Sequence, residues 1–148
     1  MTPQEYKRRV AEVRKRLHEE RPAETLRVAN ELLTQVKERI IGSGRNYQGN
    51  PFASYNPIYA KRRDEAGRQT QYVDFEFTGR MWASIRPEVT LNTPTTTEVT
   101  IKASNQGDQD KLNGQFRKRG NILRPTEQEI EFARQANADR IRELIQRI

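Results

Sequence analysis

The chain has 148 residues, 27 of them basic and 20 acidic for a net charge of +7, and no cysteine. Disulfides, thiolate catalysis and cysteine-ligated zinc are therefore excluded, and the lack of thiols agrees with assembly in a reducing cytoplasm. Leu, Ile, Val and Phe supply only about a fifth of the residues, and no window approaches the roughly 20 apolar residues of a membrane-spanning helix.

A chain of this size reads as one domain, 1–148, with a thin core that gains much of its order from neighbouring subunits. Acidic residues interleave with basic ones over much of its length, so a soluble mixed-charge surface is the default reading. Thr2-Pro3-Gln4-Glu5 carries the signature of a helix start: a capping hydroxyl, proline in the first turn and glutamate to complete a capping box. No apolar stretch follows, so this N-terminus does not read as a signal peptide. Tyr6, Val10, Val13 and Leu17 share one face, and residues 1–21 read as a helical arm. Pro22 interrupts that pattern and reads as the first-turn residue of a second helix. There Leu26, Ala29, Leu33, Val36 and Ile40 form a narrow apolar stripe, ended by Gly42-Ser43-Gly44.

Residues 45–72 lack periodicity and read as a long interaction loop, mobile alone and ordered in an assembly. Its aromatics seek a surface to bury on, which makes Tyr47, Phe52, Tyr55, Tyr59, Arg62 and Arg63 candidate subunit-interface residues. Val73, Phe75 and Phe77 alternate with Asp74 and Glu76, suggesting an extended stretch. Thr78-Gly79 then opens a short helix through Met81, Trp82 and Ser84, with Thr78 as its cap. Alternation at Ile85, Pro87, Val89 and Leu91, and again at Val99 and Ile101, predicts a β-hairpin; Pro87 confines its part of the first strand to an edge or bulge. Gln106 to Asp110 reads as a loop. The stretch from Lys111 to Arg124 is basic without an acid, and Lys111, Arg117, Lys118 and Arg119 are candidate DNA- or partner-facing residues. Thr126-Glu127-Gln128-Glu129 is a second capping box, opening a helix with Ile130, Ala133, Ile141, Leu144, Ile145 and Ile148 on its apolar side. The order predicts an α+β domain: long N-terminal helices and a C-terminal helix packed on a small antiparallel sheet.

Nothing in the sequence assembles a catalytic set. His18 is the one histidine, in a charged helical run, and reads as a solvated surface residue. Asp108 and Asp110 read as solvated loop charges, lacking the further oxygen ligands a divalent ion needs. No nucleophile elbow, phosphate loop or dinucleotide fingerprint is present. A non-enzymatic protein without metal or cofactor is expected.

Two segments carry a resemblance. Tyr55-Asn56-Pro57-Ile58-Tyr59-Ala60-Lys61-Arg62-Arg63 leads into Val73-Asp74-Phe75-Glu76-Phe77-Thr78-Gly79-Arg80-Met81-Trp82-Ala83-Ser84-Ile85, and Arg124-Pro125-Thr126-Glu127 introduces the last helix. This resembles the tail-completion or neck proteins of tailed bacteriophages, in which a Y-x-x-x-Y-x-K-R segment precedes an L-T-G-x-M/L-x-x-S-I motif. Where that family often has an aromatic or histidine with F-G, this chain has Asn113-Gly114-Gln115-Phe116. The resemblance implies a virion protein of the neck, assembled in the host cytoplasm. Copies would form a ring compatible with a six-fold tail, between the portal or connector and the tail tube or terminator proteins, with DNA passing through without sequence-specific binding. It also implies that Met81, Trp82 and Ile85 lie beneath the long helix as core. Two other readings stay open: a nucleic-acid-binding accessory protein using Lys61-Arg62-Arg63 and Arg117-Lys118-Arg119 against phosphates, and a helical adaptor binding through the 26–40 stripe.

Overall fold

The hydroxyl of Thr2 accepts the N–H of Glu5 and the Glu5 carboxylate accepts the N–H of Thr2, closing a capping box that starts the longest element. The bond from the Thr2 N–H, helped by the Thr2 hydroxyl, holds the Glu5 carboxyl below its ordinary range. In the computed structural model, which describes residues 1–76 and 79–147, this helix, α1, runs Pro3–Ser43 without a break. Its 41 residues span about 60 Å. The expected division at Pro22 does not occur. Proline there forfeits the bond to the carbonyl of His18, and the amide of Asn92 reaches that carbonyl at 3.4 Å.

Gly44 ends α1 in the left-handed conformation, φ 62°, and its N–H caps the carbonyl of Ile40. A side chain is also excluded there by space, since a Cβ would lie 2.7 Å from the ring of Tyr72. The remaining elements are α2 (Pro57–Glu65), α3 (Arg80–Ser84), β1 (Ile85–Asn92), β2 (Thr97–Ala103), α4 (Gln106–Arg119) and α5 (Glu127–Gln146). The fold is α+β: a long N-terminal helix and a C-terminal helix with a two-stranded antiparallel sheet. The stretch 73–76 is not a strand, and Asp74 in it points inward where alternation put it outside. Phe77, Thr78 and Ile148, assigned above to that stretch, a helix cap and the last apolar face, lie outside the described residues. Gly79 occupies the N-cap of α3, with φ 80°.

The hairpin pairs Ile85 with Ala103 and Pro87 with Ile101. Ser104 donates its N–H to the carbonyl of Ser84, and this fixes the phase of the ladder. In that phase 86/102 and 88/100 are the hydrogen-bonded pairs, so the nitrogen of Pro87 faces away from β2 and costs no ladder bond. Gln106–Asp110 is helical and not a loop. Asn105 caps α4 by accepting the N–H of Asp108, and its amide bonds the Asp108 carboxylate at 2.7 Å, so that acid serves a first helical turn.

Leu33, Val36 and Ile40 of α1 pack with Trp82, Ile85, Leu112 and Ile122 into the core. Trp82 is 4% exposed; it lies under α1, where Lys37 donates to its carbonyl at 2.7 Å. Burial lowers the pKa of that lysine. α5 packs antiparallel along α1. Arg39 grips Glu129 at 3.0 Å at one end, and Arg140 pairs with Glu24 and Glu31 further along. Glu129 also closes the capping box of α5.

Candidate assembly surface

Segment 45–76 is organised by one buried charge. Arg63, the last basic residue of the α2 run, is 0% exposed. Its Nη2 bonds Asp74 Oδ1 at 3.0 Å and Oδ2 at 3.2 Å, Nη1 donates to the carbonyl of Glu76 at 2.6 Å, and Nε donates to that of Gln69 at 3.1 Å. The guanidinium carbon stands 4.6 Å from the centre of the Tyr55 ring and 5.9 Å from that of Tyr59. A buried cation survives only when its donors are spent in this way, on a carboxylate, carbonyls and aromatic faces.

Asp74 is matched as fully. It accepts Tyr55 Oη at 3.1 Å, Gln69 Nε2 at 2.8 Å and the N–H of Glu76 at 2.8 Å. Its carbonyl accepts Trp82 Nε1 at 3.0 Å, tying the centre to the apolar core. Burial, reinforced by the Asp74 carboxylate, pushes the Tyr55 hydroxyl up to about 12. Tyr55 Oη in turn accepts the N–H groups of Asp74 and Phe75. Those bonds hold Phe75 at φ 59°, a left-handed conformation that a bulky residue takes only when its surroundings enforce it. Phe75 then meets Phe52 edge-on at 5.1 Å and carries the Arg119 guanidinium at 5.4 Å on its ring.

The sequence-derived sites therefore divide. Phe52, Tyr55, Tyr59 and Arg63 converge with Arg119 on this centre, and Arg63 is turned into the interior of the chain. An interface role for it gives way to a structural one, because all three guanidinium nitrogens are bonded inside the chain. Tyr47 lies under the Arg124 guanidinium at 3.9 Å. Arg62 is exposed on α2 beside Ile58, which is 86% exposed. Arg117 and Lys118 are exposed on the last turn of α4, Arg119 is half-buried and bonded to Gln115, and Lys111 stands 3.8 Å from Asp108. The segment read as a mobile loop holds α2 and its own polar centre.

Sequence reading missed Asp74, Gln69, Arg21 and the Arg39–Glu129 pair as organising residues. The signal for Asp74 was present but inverted: an acid between aromatics reads as the wet face of a strand. His18 is also placed differently from expectation. It is half-buried, and its Nδ1 donates to the carbonyl of Thr93 at 3.0 Å; a carbonyl only accepts, so Nδ1 carries the hydrogen. Arg21 joins it, through Nη2 to Thr93 O at 2.6 Å and Nε to Thr97 Oγ1 at 2.7 Å. The hairpin tip is thereby pinned to α1.

Among the described residues no group of three or more His, Asp or Glu side chains is placed to hold a metal ion, and no helix is long and apolar enough to cross a membrane. Comparison with protein-family models, with curated proteins and with solved structures finds no match to this chain.

Proposed function

We propose that the chain is a structural subunit of a phage neck, whose copies form a closed ring joining the portal side to the tail while DNA passes through the opening. One observation carries this reading. The two segments that resemble neck proteins, 55–63 and 73–85, lie apart in sequence yet meet at the Arg63–Asp74 pair, and Trp82 links that pair to the core. A motif whose residues build the fold belongs to a protein that works by shape, and a ring subunit is such a protein. Loss of the protein should leave DNA-filled heads and separate tails that do not join; infectious particles formed without it would refute the reading.

The second reading, a nucleic-acid-binding accessory protein, draws on the exposed Lys61, Arg62, Arg117 and Lys118. Arg63 and Arg119 are spent inside the chain, which shortens both basic runs. A phosphate binder should lose affinity steeply as salt rises. Filter binding across a salt series separates that behaviour from the shallow attraction of a ring wall.

A further inference from the structure

We infer that the outer edge of β2 takes one added strand: an extended segment of a partner protein, apolar at alternate positions and acidic at one end. This edge stands apart from the ring reading above and does not depend on it. The hairpin has two outer edges, and they differ. On β1, Pro87 removes an outward donor, and an extra residue, Thr90, breaks the register between Val89 and Leu91. Both are devices that keep an exposed edge from pairing. β2 carries neither.

In the phase of the ladder, the N–H and C=O groups of Thr97, Val99 and Ile101 point away from β1. Ala103 shares that phase, and there Gln109 fills the place of a neighbouring strand. Among the described residues no side chain does so for the other three. Beside them lies a groove of about 380 Å³. Its floor is α1 at Val28 and Leu32, its far wall α5 at Asn137 and Ile141, and its near wall β2 at Thr97 and Val99. No β1 residue lines it, so β2 is the strand on the α5 side and its open edge faces the gap.

Main-chain groups offered at every second residue match an extended backbone, and not a helix, whose own groups are already bonded. Alternate side chains of the added strand then meet Val28 and Leu32 on the floor. Charge sets which end goes where. Arg21, at the end of the groove nearest the arm, spends Nε and Nη2 on the hairpin and leaves Nη1 unbonded among the described residues. Arg14 lies seven residues earlier, two turns along the same face, and is exposed without an ion pair. An acid on the incoming segment complements both. A second copy would bring β2 with β1 attached, two strands in place of one, into a gap that α5 bounds.

The probe is a library of random peptides of about eight residues, selected on the full chain. Enriched peptides should alternate apolar and polar residues with Asp or Glu at one end. The tightest of them should slow amide exchange at Thr97, Val99 and Ile101. N-methylation of that peptide at one alternate set of residues should weaken binding at least about tenfold, and at the other set leave it unchanged. Arg14→Glu should weaken binding with an unchanged melting temperature. A selection that enriches nothing overturns the proposal, as do peptides that protect other amides or bind equally well with either set methylated. Dimers of the unmodified chain in native mass spectrometry, lost in Val99→Pro where only an outward donor is removed, would put a second copy on the edge and overturn the partner assigned here.

Discussion

Arg63 and Asp74 form a pair whose value lies in its completeness. A buried ion pair adds little over an apolar substitute, yet removing one partner strands the other in a medium that does not solvate it. Asp74→Ala should therefore cost about 3–5 kcal/mol in chemical denaturation, and Arg63→Lys should not rescue a site that uses three edges of a guanidinium. The same centre sets an alkaline limit. The Tyr55 hydroxyl ionises near 12 in the fold against 10.0 in its ordinary state, so the neutral form is favoured by folding. Its contribution is fully present below pH 10.0 and is lost as pH rises through about 12. Stability measured across that window should fall more steeply in the native chain than in Tyr55→Phe, which has no proton to lose. Trp82 differs in kind: it is large, buried and surrounded by aliphatic side chains. Trp82→Ala should destabilise by about 3–5 kcal/mol in thermal unfolding. An unchanged melting temperature with lost assembly would move Trp82 from core to interface.

Among elements, the hairpin depends on its two ends. At its base Ala103 donates its N–H to Gln109 Oε1 at 2.9 Å, binding β2 to α4. At its tip Arg21 and His18 hold Thr93 and Thr97 against the turn of α1 that contains Pro22. A two-stranded sheet is marginal without such support. Hydrogen bonds from a charged donor contribute about 1.5–3 kcal/mol. Arg21→Ala should therefore speed amide exchange across residues 93–97 while leaving the Ala103 end protected. Equal loosening of both ends would mean that the hairpin opens as one unit and that Arg21 holds more than the tip.

For the whole molecule, the shape is a body clamped between α1 and α5 with a helical arm extending from it. An isolated helix of this length is marginal in water, because nucleation is costly and few residues share the cost. The capping box at Thr2 and continuity with the packed part of α1 offset part of that disadvantage. Amide exchange on the free chain should accordingly be fast at residues 3–16 and slow at 28–40, where Val28, Leu33, Val36 and Ile40 are buried. Full protection of the arm in the free monomer would contradict a helix held only by its own bonds.

The local chemistry of this chain was legible in its sequence wherever the governing interaction spans a few residues. Both capping boxes, the glycine stop of α1, the short helix after Gly79 and the hairpin with Pro87 at an outward position follow from rules of short range. The burial of Trp82 under the stripe of Leu33, Val36 and Ile40, expected from the resemblance, is seen as well, but it joins residues more than forty positions apart and follows from no short-range rule. Other features depended on partners distant in the chain. Pro22 stays inside one helix because the hairpin tip and α5 support α1 around it, outweighing a local tendency to break. Asp74 turns inward because Arg63, eleven residues earlier, offers more than water does. Residues 45–72 hold α2 because that pair gives them a centre, and periodicity does not register a centre made of charge. Sequence determined where the chain turns and caps; the tertiary structure alone decided which charges go inside, because only an assembled partner compensates the loss of water.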